Sequence, residues 1–113
     1  ILLEVPHAND FLISGLHLTS FIEFTMWSQH LIFHTYDSLR VCLEHTGFIN
    51  TITKGVQRYP LSNHLGWLLN GKPGGHLSSL SFLDNEDLVR NYELTLASLQ
   101  ATDTIVSIAM KPF

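Results

Sequence analysis

The chain has 113 residues, room for one domain. Hydrophobic residues make up 45%, which excludes a disordered chain, while charged residues make up only 14%, well under the roughly 25% of an ordinary domain. A net charge of −4, with six scattered Lys and Arg, excludes the basic stripe a nucleic-acid partner requires, and a single cysteine, Cys42, excludes an internal disulfide or a cysteine-rich zinc site. A small domain has much surface for its volume, so a charge-poor one is expected to hide a face against a partner or the rest of a larger fold. No apolar run reaches the ~18 residues of a membrane span. Together these features predict a soluble, cytoplasmic chain with no nucleic-acid and no membrane partner.

In chain order, residues 1–5 (Ile-Leu-Leu-Glu-Val) form an apolar run stopped by Pro6, which predicts a buried strand. No initiator Met precedes it, and no turn or cap, so the chain is expected to be part of a longer protein. Asn9 or Asp10 is placed to cap the next segment. Residues 11–33 are aromatic-rich, with Gly15 and the pair Thr19-Ser20 predicting a break between two short helical pieces. Residues 35–46 read as a helix capped by Thr35 or Asp37, with Leu39, Cys42 and Leu43 as its apolar stripe and Gly47 at its end. The Ile-, Thr- and Val-rich residues 48–59 predict a strand with a bulge at Gly55.

Residues 60–70 predict a short helix whose Leu61, Leu65, Leu68 and Leu69 share a face, closed by Gly71. Residues 72–81 read as a Gly/Ser-rich loop. Asp84 is the expected cap of the next helix, with Leu88, Tyr92, Leu96 and Leu99 along one side. Residues 104–110 (Thr-Ile-Val-Ser-Ile-Ala-Met) read as a central strand. Strand–helix alternation of this kind argues for an α/β layered sheet.

Several residues suggest chemistry. His30 and His34 stand four apart, the spacing that puts two imidazoles on one helix face as metal pairs require. The zincin pattern needs Glu after the first His, where Leu31 stands, and no third ligand is near. The alternatives are a pair of hydrogen-bonded histidines at a buried edge, or His30 as a general base, since imidazole titrates near neutral pH. The run Gly71-Lys72-Pro73-Gly74-Gly75-His76 lacks the phosphate-loop order of glycines and Lys before a helix, and reads as a helix end and turn. Cys42 reads as a small core residue. Glu4 inside an apolar strand requires a partner or a place at the strand end, and the aromatic cluster around Trp27 forms either core or pocket wall.

Four strings carry a family resemblance: Leu3-Glu4-Val5-Pro6; Phe24-Thr25-Met26-Trp27-Ser28-Gln29-His30-Leu31; Ser38-Leu39-Arg40 through Thr46-Gly47-Phe48; and Gly55-Val56-Gln57-Arg58-Tyr59-Pro60. With the order of elements, they resemble the C-terminal half of a class I S-adenosylmethionine-dependent methyltransferase of the bacterial sugar and glycan type. The resemblance implies an α/β fold in which residues 1–5, 48–59 and 104–110 correspond to strands 5, 6 and 7 of a Rossmann-like sheet. Their order is 5-7-6, with the last strand antiparallel between the others and helices flanking the sheet. It implies one unit over 1–113, with residues 7–35 inserted to cover an acceptor.

In that family a Glu-His pair supplies the base; here the pair is Gln29-His30, so His30 is the catalytic candidate the resemblance implies. Trp27, His34 and His64 are the expected acceptor-binding residues. The cofactor of the whole protein would be S-adenosylmethionine and the acceptor a small or sugar-like molecule. The glycine-rich turn and acidic strand end that hold the cofactor have no counterpart, since no Gly-x-Gly occurs, so this chain alone is not expected to bind it or to be active. The reading from another class is a non-catalytic dimerisation or interaction module, with a homodimer formed through the exposed strand edge or the aromatic face.

Overall fold

In a computed structural model, described over residues 1–26 and 32–112, the chain is a mixed α/β structure built on a three-stranded sheet. Strand β1 (Leu2–Pro6) and strand β2 (Ile49–Val56) flank strand β3 (Thr104–Met110), giving the order β1-β3-β2. The last strand is antiparallel to both neighbours, so β1 and β2 run parallel to each other. The expected adjacency of the first and last strands is therefore observed, with Leu3 opposite Ser107 and Val5 opposite Ile105.

Helices α1 (Thr19–Thr25) and α2 (Tyr36–His45) lie between β1 and β2, and helices α3 (Leu61–Asn70) and α4 (Glu86–Ser98) between β2 and β3. Among the described residues no helix is long and apolar enough to cross a membrane.

Period-2 alternation sorts the strand residues onto two faces. One face packs on α2: Ile105 and Ala109 meet Leu39 and Leu43, with Leu3 and Val5 alongside. Thr35 caps α2 by accepting from the Ser38 amide, while Ser38 Oγ accepts from the Thr35 amide, a reciprocal box that satisfies two otherwise orphaned donors. The expected stripe of α2 narrows to Leu39 and Leu43. Cys42 is exposed, because a residue three on from Leu39 swings past the sheet's edge of contact.

The opposite face carries an aligned row, Leu2 beside Ile108 beside Ile52. These three are 67%, 53% and 70% exposed.

Three local expectations shift. The strand irregularity is not at Gly55 but between Ile49 and Ile52, where Asn50 takes a left-handed φ of 53°. Gly55 is regularly paired with Ile105; it is glycine because a Cβ there would collide with Thr102 Oγ1 and stand 2.8 Å from the Tyr36 hydroxyl. The cap of α4 is Asn85, which accepts from the Leu88 amide, since Asp84 is engaged by the Ser62 hydroxyl at 2.7 Å.

On α3 the predicted leucine face is wrong. Leu68 and Leu69 are exposed, and the buried side carries Ser62, Asn63, His64, Gly66 and Trp67. A helix that buries its polar side has partners for those groups, and these partners define the site.

Candidate functional site

The β1 and β2 chains both run toward one end of the sheet, and beyond their carboxyl ends lies a cavity of about 420 Å³. That size suits a small organic ligand, and in open α/β sheets ligands collect at this end of the strands. Glu4, Val5 and Pro6 of β1 and Asp103 and Thr104 at the start of β3 form its floor. Arg58 and Tyr59, just beyond β2, and Asn63, His64 and Trp67 of α3 form one wall. The segment after β1 closes the other side with Asp10, Leu12, Phe21, Phe24, Thr25 and Phe33.

Asp103 organises the polar floor. Its carboxylate accepts from the Gln57 side-chain amide, the Arg58 and Tyr59 backbone amides and the Thr104 hydroxyl, at 2.9–3.2 Å. Gln57 is locked in turn, because its Oε1 accepts from the Asp103 backbone amide. This reciprocal clamp ties the end of β2 to the start of β3. Burial pushes the Asp103 carboxyl upward, and its backbone and hydroxyl donors and the Arg58 charge hold it back. The Arg58 guanidinium itself pairs with Glu4, so the carboxylate within β1 has its partner at the strand end.

Asp10 is built differently. It is 4% exposed, and Oδ1 accepts from the Leu12 amide at 2.9 Å, capping the π-helical turn Phe11–Gly15. Oδ2 accepts no hydrogen bond from any described residue, yet it is not among the sealed, unpartnered oxygens of the interior. Asp10 lines the cavity, and no described residue donates to its Oδ2. Burial, with the Asp103 charge adding to it against the opposing Leu12 hydrogen bond, raises the Asp10 carboxyl to about 7.

His64 is the buried base of the wall. Its Nδ1 is hydrogen-bonded to the Tyr92 hydroxyl of α4, and Phe11 stacks on its ring at 6.3 Å. Gln57 presents its amide nitrogen to His64 Nε2 at 3.4 Å. Both hydrogens of that amide are taken by the Tyr59 carbonyl at 2.8 Å and the Asp103 carboxylate at 2.9 Å, so Gln57 places no donor on Nε2. Burial lowers His64 to about 4, so the ring is neutral at pH 7. Burial and the charge of Asp10 raise the Tyr92 hydroxyl to about 12.

The aromatic side of the cavity is a cluster. Phe21 stands edge-on to Trp67 at 5.2 Å and Phe24 is tilted against it at 5.1 Å. Beside it, His76 bonds Asn63 Oδ1 at 3.1 Å and meets the Tyr59 ring at 5.2 Å. The glycine loop after α3 serves packing. Gly75 is pressed on α3, where a Cβ would collide with the Ser62 carbonyl and stand 2.9 Å from Gly66 Cα.

Of the four residues singled out from sequence, His64 lines the cavity. Trp27 and His30 lie outside the described residues. His34 is not on the cavity wall and not on a helix. It precedes α2 in extended backbone bridged to His7, and its Nδ1 lies 3.0 Å from Ser38 Oγ. Among the described residues no group of three or more His, Cys, Asp or Glu could hold a metal ion. Asp103, Arg58 and the second role of Asp10 were not anticipated. The available signals were an acid directly before a central-type strand and an acid inside an apolar one.

The described residues do not fit S-adenosylmethionine: the glycines beside the cavity follow a helix rather than a strand, and Gly75 is occupied by packing. Comparison with protein families, with curated proteins and with solved structures finds no match for the chain.

Proposed function

We propose that the chain is the C-terminal, acceptor-side portion of an S-adenosylmethionine-dependent methyltransferase acting on a small or sugar-like acceptor. In this reading the cofactor is held by residues outside this chain. The support is one relationship: two parallel strands with the last strand antiparallel between them, and a mixed polar and aromatic cavity at the carboxyl ends of the parallel pair. The residues of this chain bind and orient the methyl acceptor and exclude water from it, with His64 and Asp10 among the polar groups of the lining. Calorimetric titration of S-adenosylmethionine into these 113 residues, and into the protein extended upstream of Ile1, tests the reading. Binding by the extended protein only is expected. Tight binding by the 113 residues alone contradicts it.

A second reading, a non-catalytic interaction module, is favoured by the exposed row Leu2, Ile108 and Ile52. Sedimentation of Ile52→Lys beside the unmodified chain discriminates. A concentration-dependent dimer that the substitution abolishes supports the module; a monomer in both removes it.

A further inference from the structure

We propose that the cavity selects a ligand bearing a protonated amine, with Asp10 Oδ2 as the group that receives it and the Phe21, Phe24 and Trp67 cluster holding its apolar body. The inference rests on the cavity being an acceptor site, and it narrows the acceptor from any small molecule to a cationic one.

The first ground is an acceptor with no donor. A side chain as deeply buried as Asp10, only 4% exposed, normally has its polar atoms satisfied from within the protein. Asp103, on the floor of the same cavity, satisfies this with four donor groups. Asp10, which lines the cavity, has one donor, the Leu12 amide on Oδ1, and none on Oδ2 among the described residues. A complementary ligand therefore supplies a donor.

The second ground is charge. Three carboxylates line the cavity, Glu4, Asp10 and Asp103, against one guanidinium. Arg58 is committed to Glu4. Asp10 and Asp103 repel each other, and a hydroxyl ligand leaves that repulsion in place. An ammonium cancels it and supplies a charged donor for Oδ2.

The third ground is the aromatic lining. Phe21 and Phe24 both stand within about 5 Å of Trp67, and the three rings present π-faces and edges that favour a cation and an apolar ligand body. Among the described lining residues the one Lys or Arg is Arg58, already paired with Glu4.

The groups facing Asp10 that titrate or carry charge are Asp103 before β3, Tyr92 of α4 and His64 of α3, with Glu4, Arg58 and His76 further around the wall. As pH falls through neutrality, Asp10 takes up a proton, which opposes a cation. Amine affinity should therefore rise with pH through neutrality, and a neutral ligand should show no such rise.

The test is titration calorimetry of the chain with benzylamine, benzyl alcohol and methyl glucoside at about pH 5.5 and about pH 8, repeated on Asp10→Asn. The amide keeps an oxygen for the Leu12 cap, so the variant folds, and a thermal melt checks this. The expected result is benzylamine binding about tenfold or more tighter than benzyl alcohol at the higher pH, with the gap closing at the lower pH and absent in Asp10→Asn. If alcohol or glucoside equals the amine, the cavity stands as an acceptor site but the amine inference is wrong. If none of the three binds, the acceptor-site reading falls with it.

Discussion

Asp10 and Asp103 share one cavity and repel each other, but Asp103 is saturated by four donor groups while Asp10 keeps one oxygen without a partner. One carboxylate builds the site and the other is held in it. This division underlies most of what the chain should do under mutation and pH change.

The Asp10 carboxyl costs stability. A carboxyl raised in the folded state favours folding while protonated, and that advantage is lost as pH climbs from the ordinary 3.8 to about 7. At about 1.4 kcal/mol per pH unit, the cost above neutrality is on the order of 4 kcal/mol. Asp10→Asn should therefore stabilise the chain at about pH 8 by a few kcal/mol and change little at about pH 4. Denaturant midpoints at the two pH values measure this; a variant no more stable at the higher pH would show that the carboxyl is not strained by burial.

His64 acts in the opposite sense. A histidine lowered in the folded state contributes its stability fully above 6.5, and this is lost as pH falls toward about 4. The window corresponds to about 3 kcal/mol. His7 adds to the same slope: it is fully buried, donates Nδ1–H to the Thr102 carbonyl, and has no partner at Nε2. His64→Leu should flatten the fall in stability between pH 6.5 and about 4, whatever it does to the baseline. An unchanged slope in acid titrations followed by circular dichroism would assign the loss elsewhere.

Much of the strand framework was legible because period and punctuation agree there. Pro6 ends β1, residues 104–110 carry a strand-forming run with no breaker, and Gly71 closes α3 in the left-handed conformation at φ 65°. The site was less legible, because its signals compete with packing signals. Four leucines on α3 suggested the core side, but tertiary contacts override the pattern: Ser62 binds Asp84, Asn63 binds His76 and His64 binds Tyr92, so the polar side is buried. Asp10 read as a cap, and it is one, but a single oxygen suffices for capping. That Asp10 also lines a cavity depends on α3 and α4, far along the chain, and no local pattern carries it. Asp103 is invisible for the same reason, since its donors lie on residues 57–59.

Asp103→Ala should be the damaging counterpart of Asp10→Asn. It leaves the Arg58 and Tyr59 amides without their acceptor and the Gln57 side chain with the Tyr59 carbonyl alone, at a cost of about 3 kcal/mol. The clamp between β2 and β3 opens and the cavity floor is lost. Chemical denaturation should show the loss of stability, and benzylamine binding should disappear with it. A variant of unmodified stability would contradict the clamp.

The loop after α3 is seated by the absence of a side chain. Gly75→Ala drives a methyl group into the Ser62 carbonyl, a backbone contact that cannot rotate away. The expected cost is about 2–3 kcal/mol. Thermal melts check it, and an alanine variant as stable as the original would mean the loop is not pressed on the helix.

The most direct test of the account is the carboxyl carbon resonance of Asp10, followed by NMR through a pH titration with and without benzylamine. A midpoint at about 7 in the free chain, driven well below neutrality by the amine, is the predicted result. An Asp10 resonance that titrates near the ordinary 3.8, or one indifferent to the amine while other cavity residues respond, would contradict it.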